Sequence, residues 1–442
     1  GYPVQPGTNR SITCDVSQWA GQPGPFTLRL VADDRQPFSV QTLVNEVDSN
    51  RLRQDLRFVE GVRHRSAGAL HLAAVRDSMR RLFESAGLYT REQTFSYTGG
   101  YTGRNVIGSL PGTTAAEQVV IADAHYDSVN NAPGADDNGS GTVGVLELAR
   151  LLSRYPAKKT LRFIGFDLEE AGLVGSTRYV NAGIPAGESI AGVFNFEMIG
   201  YHSEQPNSQK LPAGFEVLFP AAYNAVAGDS FRGNFITNVG NTASKPLISL
   251  FANSAAQYVP GLRVVSVEVP GNGQIAPDLR RSDHAPFWDS GRQALMLSDG
   301  ANFRNLCYHM GCDTAEDKLN FSFMARVVQA TLASMAQLAE IQHGDWATAT
   351  FDGTVGTQSA HDRPCRVLVG SRPEERNVLY LKAEDCMLDR LSLALFDERG
   401  VLLHEQAINL LQQGAALPIP LPQALPVGLY FARFSWQEGS WT

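Results

Sequence analysis

Short apolar segments alternate along this chain with longer segments of helical periodicity. Strands are predicted at Val119–Ala124, Thr160–Asp167 and Ala191–Phe196. Helices are predicted between them, at Gly141–Tyr155 and Leu173–Asn181. Strands that are separated by helices usually pair in parallel. We therefore predict an α/β fold with a mainly parallel central sheet sandwiched between helices.

The alternation is confined to the middle of the chain. Residues 1–44 are rich in proline, glycine and polar residues, and we expect an irregular N-terminal extension there. Residues 350–442 show no helical period, and proline and glycine punctuate their short apolar runs. Such a pattern is typical of an all-β sandwich. We expect three segments: the extension at 1–44, the α/β domain at 45–343 and a β-sandwich module at 350–442.

The composition excludes several classes of protein. With 43% hydrophobic and 19% charged residues among 442, the chain has enough apolar side chains for a large core. The net charge of −8 and the scattered arginines argue against nucleic-acid binding. No apolar run approaches the roughly 20 residues of a membrane helix. The beginning Gly1-Tyr2-Pro3 leads us to expect that an export signal has been removed.

The five cysteines indicate whether the protein acts in an oxidising or a reducing compartment. Cys307 and Cys312 could form a small-loop disulfide around His309, and Cys365 could pair with Cys386. Two disulfides would favour an oxidising compartment, and hence a periplasmic or secreted protein. The alternative is a set of free buried thiols in a cytosolic protein. No pair has the Cys-x-x-Cys spacing, which argues against a cysteine-based zinc site.

Acidic residues and a histidine follow the predicted strands. His125 and Asp127 come after the first strand, Glu169 and Glu170 after the second, and Glu197 after the third. Ligands of parallel sheets gather at the carboxyl ends of strands. Each pair alone has a simpler explanation as a surface pair or as solvated loop residues. An acid such as Glu197, inside an apolar segment, must be paired, protonated or bound to a metal.

These residue types suit a site for two divalent metals. Asp136 lies in a Gly-rich loop beside Asp137 and is placed to bridge two ions, although both acids could also belong to a helix cap. Asp127 could orient the ring of His125. Of Glu169 and Glu170, one could bind a metal while the other moves protons. His284 or His309 could complete the set, and spacing does not choose between them. The sequence has no Gly-x-Ser-x-Gly elbow, P-loop or dinucleotide fingerprint.

The motifs resemble those of the M28 family of zinc peptidases, which includes secreted bacterial aminopeptidases. The resemblance covers about residues 45–343. Its motifs, in order, are His125-Tyr126-Asp127, Gly134-Ala135-Asp136-Asp137-Asn138-Gly139-Ser140-Gly141, Phe166-Asp167-Leu168-Glu169-Glu170, Glu197-Met198-Ile199-Gly200 and Ser282-Asp283-His284.

The resemblance implies a role for each site residue. His125 and Glu170 would bind separate zinc ions, Asp136 would bridge them, and Glu169 would be the general base. An unusual peptide bond would join Asp136 to Asp137. Glu197, where most characterised aminopeptidases of the family have aspartate, would still reach a metal. The remaining residues would support the site, namely Asp127, Asp137, Asp283 and His284.

The family's closing motif is similar to the segment Cys307-Tyr308-His309, which continues to Cys312 and Asp313. By this resemblance His309 would be the last ligand, Tyr308 would donate a hydrogen bond to the tetrahedral intermediate, and Arg281 would assist it. A Cys307–Cys312 disulfide is implied as well.

The implied function is that of a metal-dependent exopeptidase, an aminopeptidase that acts on peptide substrates. The implied cofactors are two Zn²⁺ ions, for which Co²⁺ or Mn²⁺ could substitute. One alternative is an acyltransferase of the glutaminyl-cyclase type, which uses one zinc ion. The other is a non-catalytic relative that serves as a binding module. The oligomeric state and the preferred side chain are not predicted.

Overall fold

The computed structural model describes residues 26–32, 39–316, 318–342 and 345–351, and, in the C-terminal part, 366–372, 375–384, 388–397, 402–411, 416–421, 430–436 and 439–441. Contacts divide the chain into two compact units. One is Val31–Trp346, and the other comprises Gly1–Leu30 and Ala347–Thr442. Cys14, Cys365 and Cys386 lie outside the described residues, and so does the predicted pairing of the last two.

The described helices all lie in the larger unit. They are α1 (Val40–Val44), α2 (Ser49–Val59), α3 (Ala69–Ser85), α4 (Gly141–Leu152), α5 (Val174–Ala182), α6 (Phe215–Leu218), α7 (Pro220–Ala227), α8 (Lys245–Tyr258), α9 (His284–Asp289) and α10 (Phe321–Leu338).

The strands of both units are numbered in chain order. They are β1 (Phe26–Ala32), β2 (Tyr89–Ser96), β3 (Thr102–Leu110), β4 (Ala115–His125), β5 (Lys159–Phe166), β6 (Ser189–Phe196), β7 (Ile236–Asn241), β8 (Val264–Val269), β9 (Ala294–Ser298), β10 (Asp345–Phe351), β11 (Arg366–Arg372), β12 (Glu375–Glu384), β13 (Leu388–Asp397), β14 (Leu402–Leu411), β15 (Ala416–Pro420), β16 (Tyr430–Trp436) and β17 (Gly439–Trp441).

An eight-stranded sheet forms the centre of the larger unit. Its order is β2-β3-β5-β4-β6-β9-β7-β8. The pairs β5–β4, β4–β6, β6–β9 and β7–β8 are parallel, and the other neighbours are antiparallel. Strands β5, β4 and β6, which the sequence predicts to carry functional residues, are therefore direct neighbours and end at the same edge.

Helices cover both faces of this sheet. Successive residues of β4 alternate between two apolar layers: Val120 and Ala122 pack in one, and Val119 and Ile121 in the other. Side chains of a strand point to opposite faces in this way, so a strand buried on both sides is apolar throughout. The predicted α/β fold with a mainly parallel sheet sandwiched by helices is confirmed.

The N-terminal segment is not wholly irregular, and the expectation for residues 1–44 is corrected in two places. Strand β1 pairs with β10 in a two-stranded sheet. Helix α1 begins after Ser39, whose hydroxyl accepts a hydrogen bond from the Thr42 N–H, and it buries Leu43 and Val44 in the core. The helix has only five residues, which is too short for its period to show in the sequence.

The C-terminal part contains only strands among its described residues, as the sequence predicts. They form a three-stranded sheet, β11-β12-β15, and a four-stranded sheet, β14-β13-β16-β17. Every pairing within these sheets is antiparallel. In the described residues no helix is both long enough and apolar enough to cross a bilayer.

A fully buried arginine fixes the loop that follows β4. The guanidinium of Arg63, at 0% exposure, donates hydrogen bonds of 2.7–2.9 Å to five backbone carbonyls. These acceptors are the carbonyl oxygens of Val59, Gly61, Tyr126, Pro133 and Gly134. Because arginine carries five N–H donors in a rigid fork, it can hold several turns of loop backbone together.

Replacement of this arginine should destabilise the larger unit. Arg63→Met leaves buried carbonyls without donors, and we expect a loss of about 3–5 kcal/mol in the free energy of unfolding. Urea denaturation followed by far-ultraviolet circular dichroism measures this, since the described helices all lie in that unit. The exposed Arg57→Met is the control and should change the free energy by less than about 0.5 kcal/mol. Equal losses in both variants would contradict the assignment.

Candidate active site

Three neighbouring strands deliver acidic and imidazole groups to one edge of the sheet. His125 is the last residue of β4, Glu169 and Glu170 follow β5, and Glu197 follows β6. Two further segments approach the same edge. One is the helical turn Ala135–Ser140 before α4, and the other is the loop that carries His309.

The first cluster surrounds the ring of His125. Its Nε2 atom lies 3.4 Å from Glu197 Oε2, 3.4 Å from Asp137 Oδ1 and 3.8 Å from Glu169 Oε2. The ligand atoms of His125, Glu169 and Glu197 are all within 4.8 Å of one another. Ser282 donates a 2.7 Å hydrogen bond to Glu197 Oε2, the same oxygen that faces His125, and so holds this carboxylate in place.

The second cluster surrounds the ring of His309. Its Nε2 atom lies 3.1 Å from Asp137 Oδ2 and 3.1 Å from Glu170 Oε2. The two oxygens of Asp137 thus face the two imidazoles, one oxygen to each. This carboxylate joins the clusters into one centre.

The expected role of Asp136 is corrected by this geometry. Its carboxylate turns away from both imidazoles, accepts hydrogen bonds from the Gly200 N–H and the Asn305 amide, and contacts neither cluster. Asp137, expected only to support the site, occupies the position between the rings. The reason lies in the backbone: Asp137 is extended (φ −101°, ψ 96°), and neither it nor Asn138 has helical dihedral angles. The unusual peptide bond is also shifted by one residue, since the cis bond joins Asp137 to Asn138.

The centre carries more negative charge than its histidines can balance. Burial raises the pKa of Glu170 to about 7 and that of Glu169 well above its usual value. Burial disfavours charged His309, but the contacts with Asp137 and Glu170 outweigh it and raise its pKa to about 10. Burial alone would raise the pKa of Asp137, but the contacts with both histidines outweigh it and hold this pKa below its ordinary value. Protons on the imidazoles balance the carboxylates here, and cations could take their place.

The cluster atoms meet two requirements of a metal site. First, His125 Nε2, Asp137 Oδ2, Glu170 Oε1 and His309 Nε2 are buried and have no hydrogen-bond partner in the described part of the chain. Second, two ligands that each lie roughly 2.0–2.2 Å from one tetrahedral zinc ion are about 3.3 Å apart. The nitrogen–oxygen separations of 3.1–3.4 Å match this spacing. Imidazole and carboxylate are also ligands that zinc accepts.

Asp127 supports the centre in more ways than the sequence suggests. One of its carboxylate oxygens is 3.5 Å from His125 Nδ1, and its backbone oxygen is 3.2 Å from the same atom. Its carboxylate also accepts hydrogen bonds from the backbone N–H groups of Glu169 and Glu170. A single side chain therefore orients residues of two strand ends.

Tyr308 and Arg281 lie together at the rim. The Tyr308 hydroxyl accepts a 2.9 Å hydrogen bond from Arg281, and the Tyr308 ring stacks on His309 with 3.8 Å between centroids. Burial, with Asp137 and Glu197 nearby, raises the pKa of Tyr308 above its usual value, so the phenol keeps its proton.

The Ser282-Asp283-His284 motif is divided between the two clusters and the apolar core. His284 is in neither cluster. Its Nε2 lies 3.0 Å from the Leu279 carbonyl oxygen, its ring packs edge-on against Trp288, and burial lowers its pKa to about 3. It is thus a neutral core histidine. Asp283 is fully buried near His125. Burial raises the pKa of Asp283 to about 7, although the nearby His125 acts in the opposite direction.

Backbone geometry marks the loops that carry the site. Leu168, Met198 and His309 have φ values of 60°, 56° and 59°. Such left-handed conformations are uncommon for residues other than glycine and tend to cluster at functional sites. The Cys307–Cys312 disulfide closes a short loop around His309, with a Cα–Cα distance of 5.3 Å.

Sequence reasoning missed three residues that hold the site. Arg63 clamps the loop after β4, Ser282 holds Glu197, and Asp313 accepts the backbone N–H groups of Asp136 and Asp137. Arg63 lies outside the motifs, Ser282 and Asp313 lie within them without an assigned role, and all three make contacts that no local pattern reveals.

Comparisons with known proteins identify a family. The family model described as peptidase family M28 matches residues 105–335. The uncharacterized protein YfbL of Escherichia coli K12 is 30% identical over 295 residues, which are 64% of this chain and 86% of that protein. Leupeptin-inactivating enzyme 1 of Streptomyces exfoliatus is 32% identical over 273 residues, which are 57% of this chain and 52% of the enzyme. The chain thus spans about half the length of the latter relative.

Solved structures show the same fold. LapA aminopeptidase of Legionella pneumophila has a TM-score of 0.51 and 20% identity, and the match covers 70% of this chain and 79% of LapA. An aminopeptidase from Aneurinibacillus sp. strain AM-1 has a TM-score of 0.52 and 15% identity, with 70% of this chain and 97% of that one covered. The family match includes all six residues that form the two clusters, namely His125, Asp137, Glu169, Glu170, Glu197 and His309. This chain belongs to peptidase family M28.

Proposed function

We propose that this protein is an aminopeptidase that hydrolyses peptide bonds with water activated by two zinc ions. The observation that carries the proposal is the pair of ligand clusters joined by Asp137. His125 and Glu197 would hold one ion, Glu170 and His309 would hold the other, and Asp137 would bridge them. Family membership supports a peptidase, and the relatives named aminopeptidases support the exopeptidase class.

Zinc ions at these positions would supply Lewis acidity, which activates water for attack and polarises the scissile carbonyl. Glu169 is the general base. Its carboxylate belongs to the first cluster, 3.8 Å from His125 Nε2, and remains 11% exposed. Asp127 aligns the residue by accepting the Glu169 backbone N–H. It takes a proton from the attacking water and passes it to the leaving amine, a role usually worth 10²–10⁴-fold in rate.

Tyr308 stabilises the negative charge that develops on the carbonyl oxygen. Its hydroxyl keeps its proton and is available as a donor, and Arg281 holds it in place and adds a positive charge. A donor aimed at such an oxygen typically contributes about 3–4 kcal/mol to the stability of the transition state.

An apolar pocket adjoins the centre and suits the side chain of the substrate's first residue. Glu197, Tyr308 and Arg281 form its inner edge. Its walls are mostly apolar and include Leu211, Phe215, Phe235, Val265 and Met296. With the acidic Glu197 at the inner edge to receive a free amine, a substrate would place its N-terminal residue in this pocket. We therefore propose peptides with an apolar N-terminal residue as substrates.

The Cys307–Cys312 disulfide, which closes the loop around His309, supports an oxidising compartment. We accordingly propose that the protein acts after export. A glutaminyl-cyclase-type acyltransferase would use a single zinc ion, and the two joined clusters favour hydrolysis instead.

The pocket predicts a preference among substrates. Leucyl- and phenylalanyl-p-nitroanilide should give kcat/KM values at least about tenfold above those of the glycyl and aspartyl compounds, because apolar burial contributes about 0.8 kcal/mol per CH₂ group. N-acetyl-leucyl-p-nitroanilide should not be hydrolysed. Cleavage of the acetylated substrate at the rate of the free one would exclude an aminopeptidase.

Substitutions of the neighbouring acids Glu169 and Glu170 should have different effects on catalysis and on zinc binding. Glu169→Gln should lower kcat by about 10²–10⁴-fold and keep both zinc ions, because it removes the base. Glu170→Gln should lower zinc binding itself, because it removes a ligand of the second cluster. Zinc content by mass spectrometry and kcat with leucyl-p-nitroanilide separate the two effects. A zinc-loaded Glu169→Gln protein with the original kcat would exclude the base assignment.

A further inference from the structure

The Asp136 carboxylate connects segments that carry ligands of different clusters. Its Oδ1 accepts the Gly200 N–H at 3.0 Å, and its Oδ2 accepts the Asn305 side-chain N–H at 3.0 Å. Gly200 is three residues after Glu197, and Asn305 is four residues before His309. Asp136 itself precedes Asp137, and it is fully buried. One side chain therefore links the turn of Asp137 to both other segments.

Gly200 is suited to this approach. A Cβ atom at residue 200 would lie 2.9 Å from Asp136 Oδ1, which is closer than a real side chain allows. The carboxylate can reach the backbone N–H there because glycine leaves the space free.

The turn is attached to the Glu197 segment at further points. Asn138 donates to the Phe196 carbonyl oxygen at 2.8 Å and accepts the Met198 N–H at 3.2 Å, so its amide contacts the backbone on both sides of Glu197. Ser140 accepts the Ile199 N–H at 2.9 Å. These contacts fix the turn to one segment only.

The connection to the His309 loop depends on fewer groups. Asp313, just after the disulfide loop, accepts the N–H groups of Asp136 and Asp137 at 3.1 Å each. Asn305 is held in turn, because its Oδ1 accepts the Cys307 N–H at 2.9 Å. The Asp136–Asn305 hydrogen bond is thus one of the few side-chain links between the turn and the loop before His309.

We propose that Asp136 is a positioning residue that fixes Asp137, Glu197 and His309 relative to one another, so that loss of its hydrogen bonds weakens zinc binding at both clusters. This rests on the proposed function, because it takes the clusters as zinc sites. The side chain itself contacts no ion. Residues that orient metal ligands in this way typically change metal affinity by 10–100-fold.

Asp136→Asn tests the proposal with almost no change in shape. The amide has one acceptor oxygen, so its N–H₂ group must replace the acceptor of either the Gly200 N–H or the Asn305 amide, although it can donate to the neighbouring Asp299 carboxylate. We expect the zinc dissociation constant, measured by titration against a competing chelator, to rise by about 10–100-fold.

A double variant should recover zinc affinity, which would not happen if the single variant acted only by lowering the stability of the protein. In Asp136→Asn with Asn305→Asp, the new amide can donate to the new carboxylate, whose other oxygen still accepts the Cys307 N–H. Net charge is unchanged. We expect zinc affinity to return to within about threefold of the original protein, since each polar group has a partner again.

Glu147→Gln is the matched control. Glu147 is a fully buried carboxylate that accepts hydrogen bonds from Arg51, Arg150 and the Asp48 N–H, all of which lie outside the ligand segments. The Glu147→Gln substitution should lower the melting temperature of the zinc-free protein and leave zinc affinity unchanged. If Asp136→Asn does not fold, Asn305→Ala removes the same link from the other side and should weaken zinc binding at least about threefold.

The outcomes separate this proposal from the proposed function. An original protein that binds two zinc ions, together with foldable variants of equal affinity, overturns the role of Asp136 alone. Failure of the double variant to recover affinity overturns it as well. An original protein that binds no zinc overturns the proposed function and this inference together.

Discussion

Repulsion among buried carboxylates is the constraint on which the rest of this structure depends. Asp137, Glu169, Glu170 and Glu197 converge on two imidazole rings at one edge of the sheet. Charges of one sign in a buried place strongly disfavour one another, so such a group persists only with protons or cations among it. Four atoms of the centre have no hydrogen-bond partner in the described residues and are free for cations: His125 Nε2, Asp137 Oδ2, Glu170 Oε1 and His309 Nε2.

The surrounding fold holds these groups with fixed donors. Ser282 donates a hydrogen bond to the Glu197 carboxylate, and the Asp127 carboxylate accepts the backbone N–H groups of Glu169 and Glu170. Arg63 brings a buried positive charge to the loop after β4 and joins five carbonyls. Buried polar groups that are fully paired hold one geometry, because any shift would leave one of them unpaired.

Much of this could be predicted from the sequence, for a physical reason. Parallel strands in a sandwiched sheet are apolar throughout, so an acid or histidine at a strand end stands out, as His125 and Glu197 do. The sequence could not predict which of the adjacent acids Asp136 and Asp137 faces the imidazoles. That depends on the backbone dihedral angles of one turn, where the extended conformation of Asp137 directs its side chain between the rings. Nor could spacing choose between His284 and His309, because the choice depends on the tertiary fold: the loop of His309 lies at the edge of the sheet, whereas His284 packs in the core. The strand β1 and the buried Arg63 depend on distant partners and leave no local pattern.

Crystals grown with zinc and recorded at the zinc absorption edge test the central claim most directly. Two anomalous peaks should lie roughly 3.5–4 Å apart, one beside His125 and Glu197 and the other beside Glu170 and His309, with Asp137 contacting both. A single peak, a peak held by Asp136, or none in zinc-saturated crystals would contradict the account.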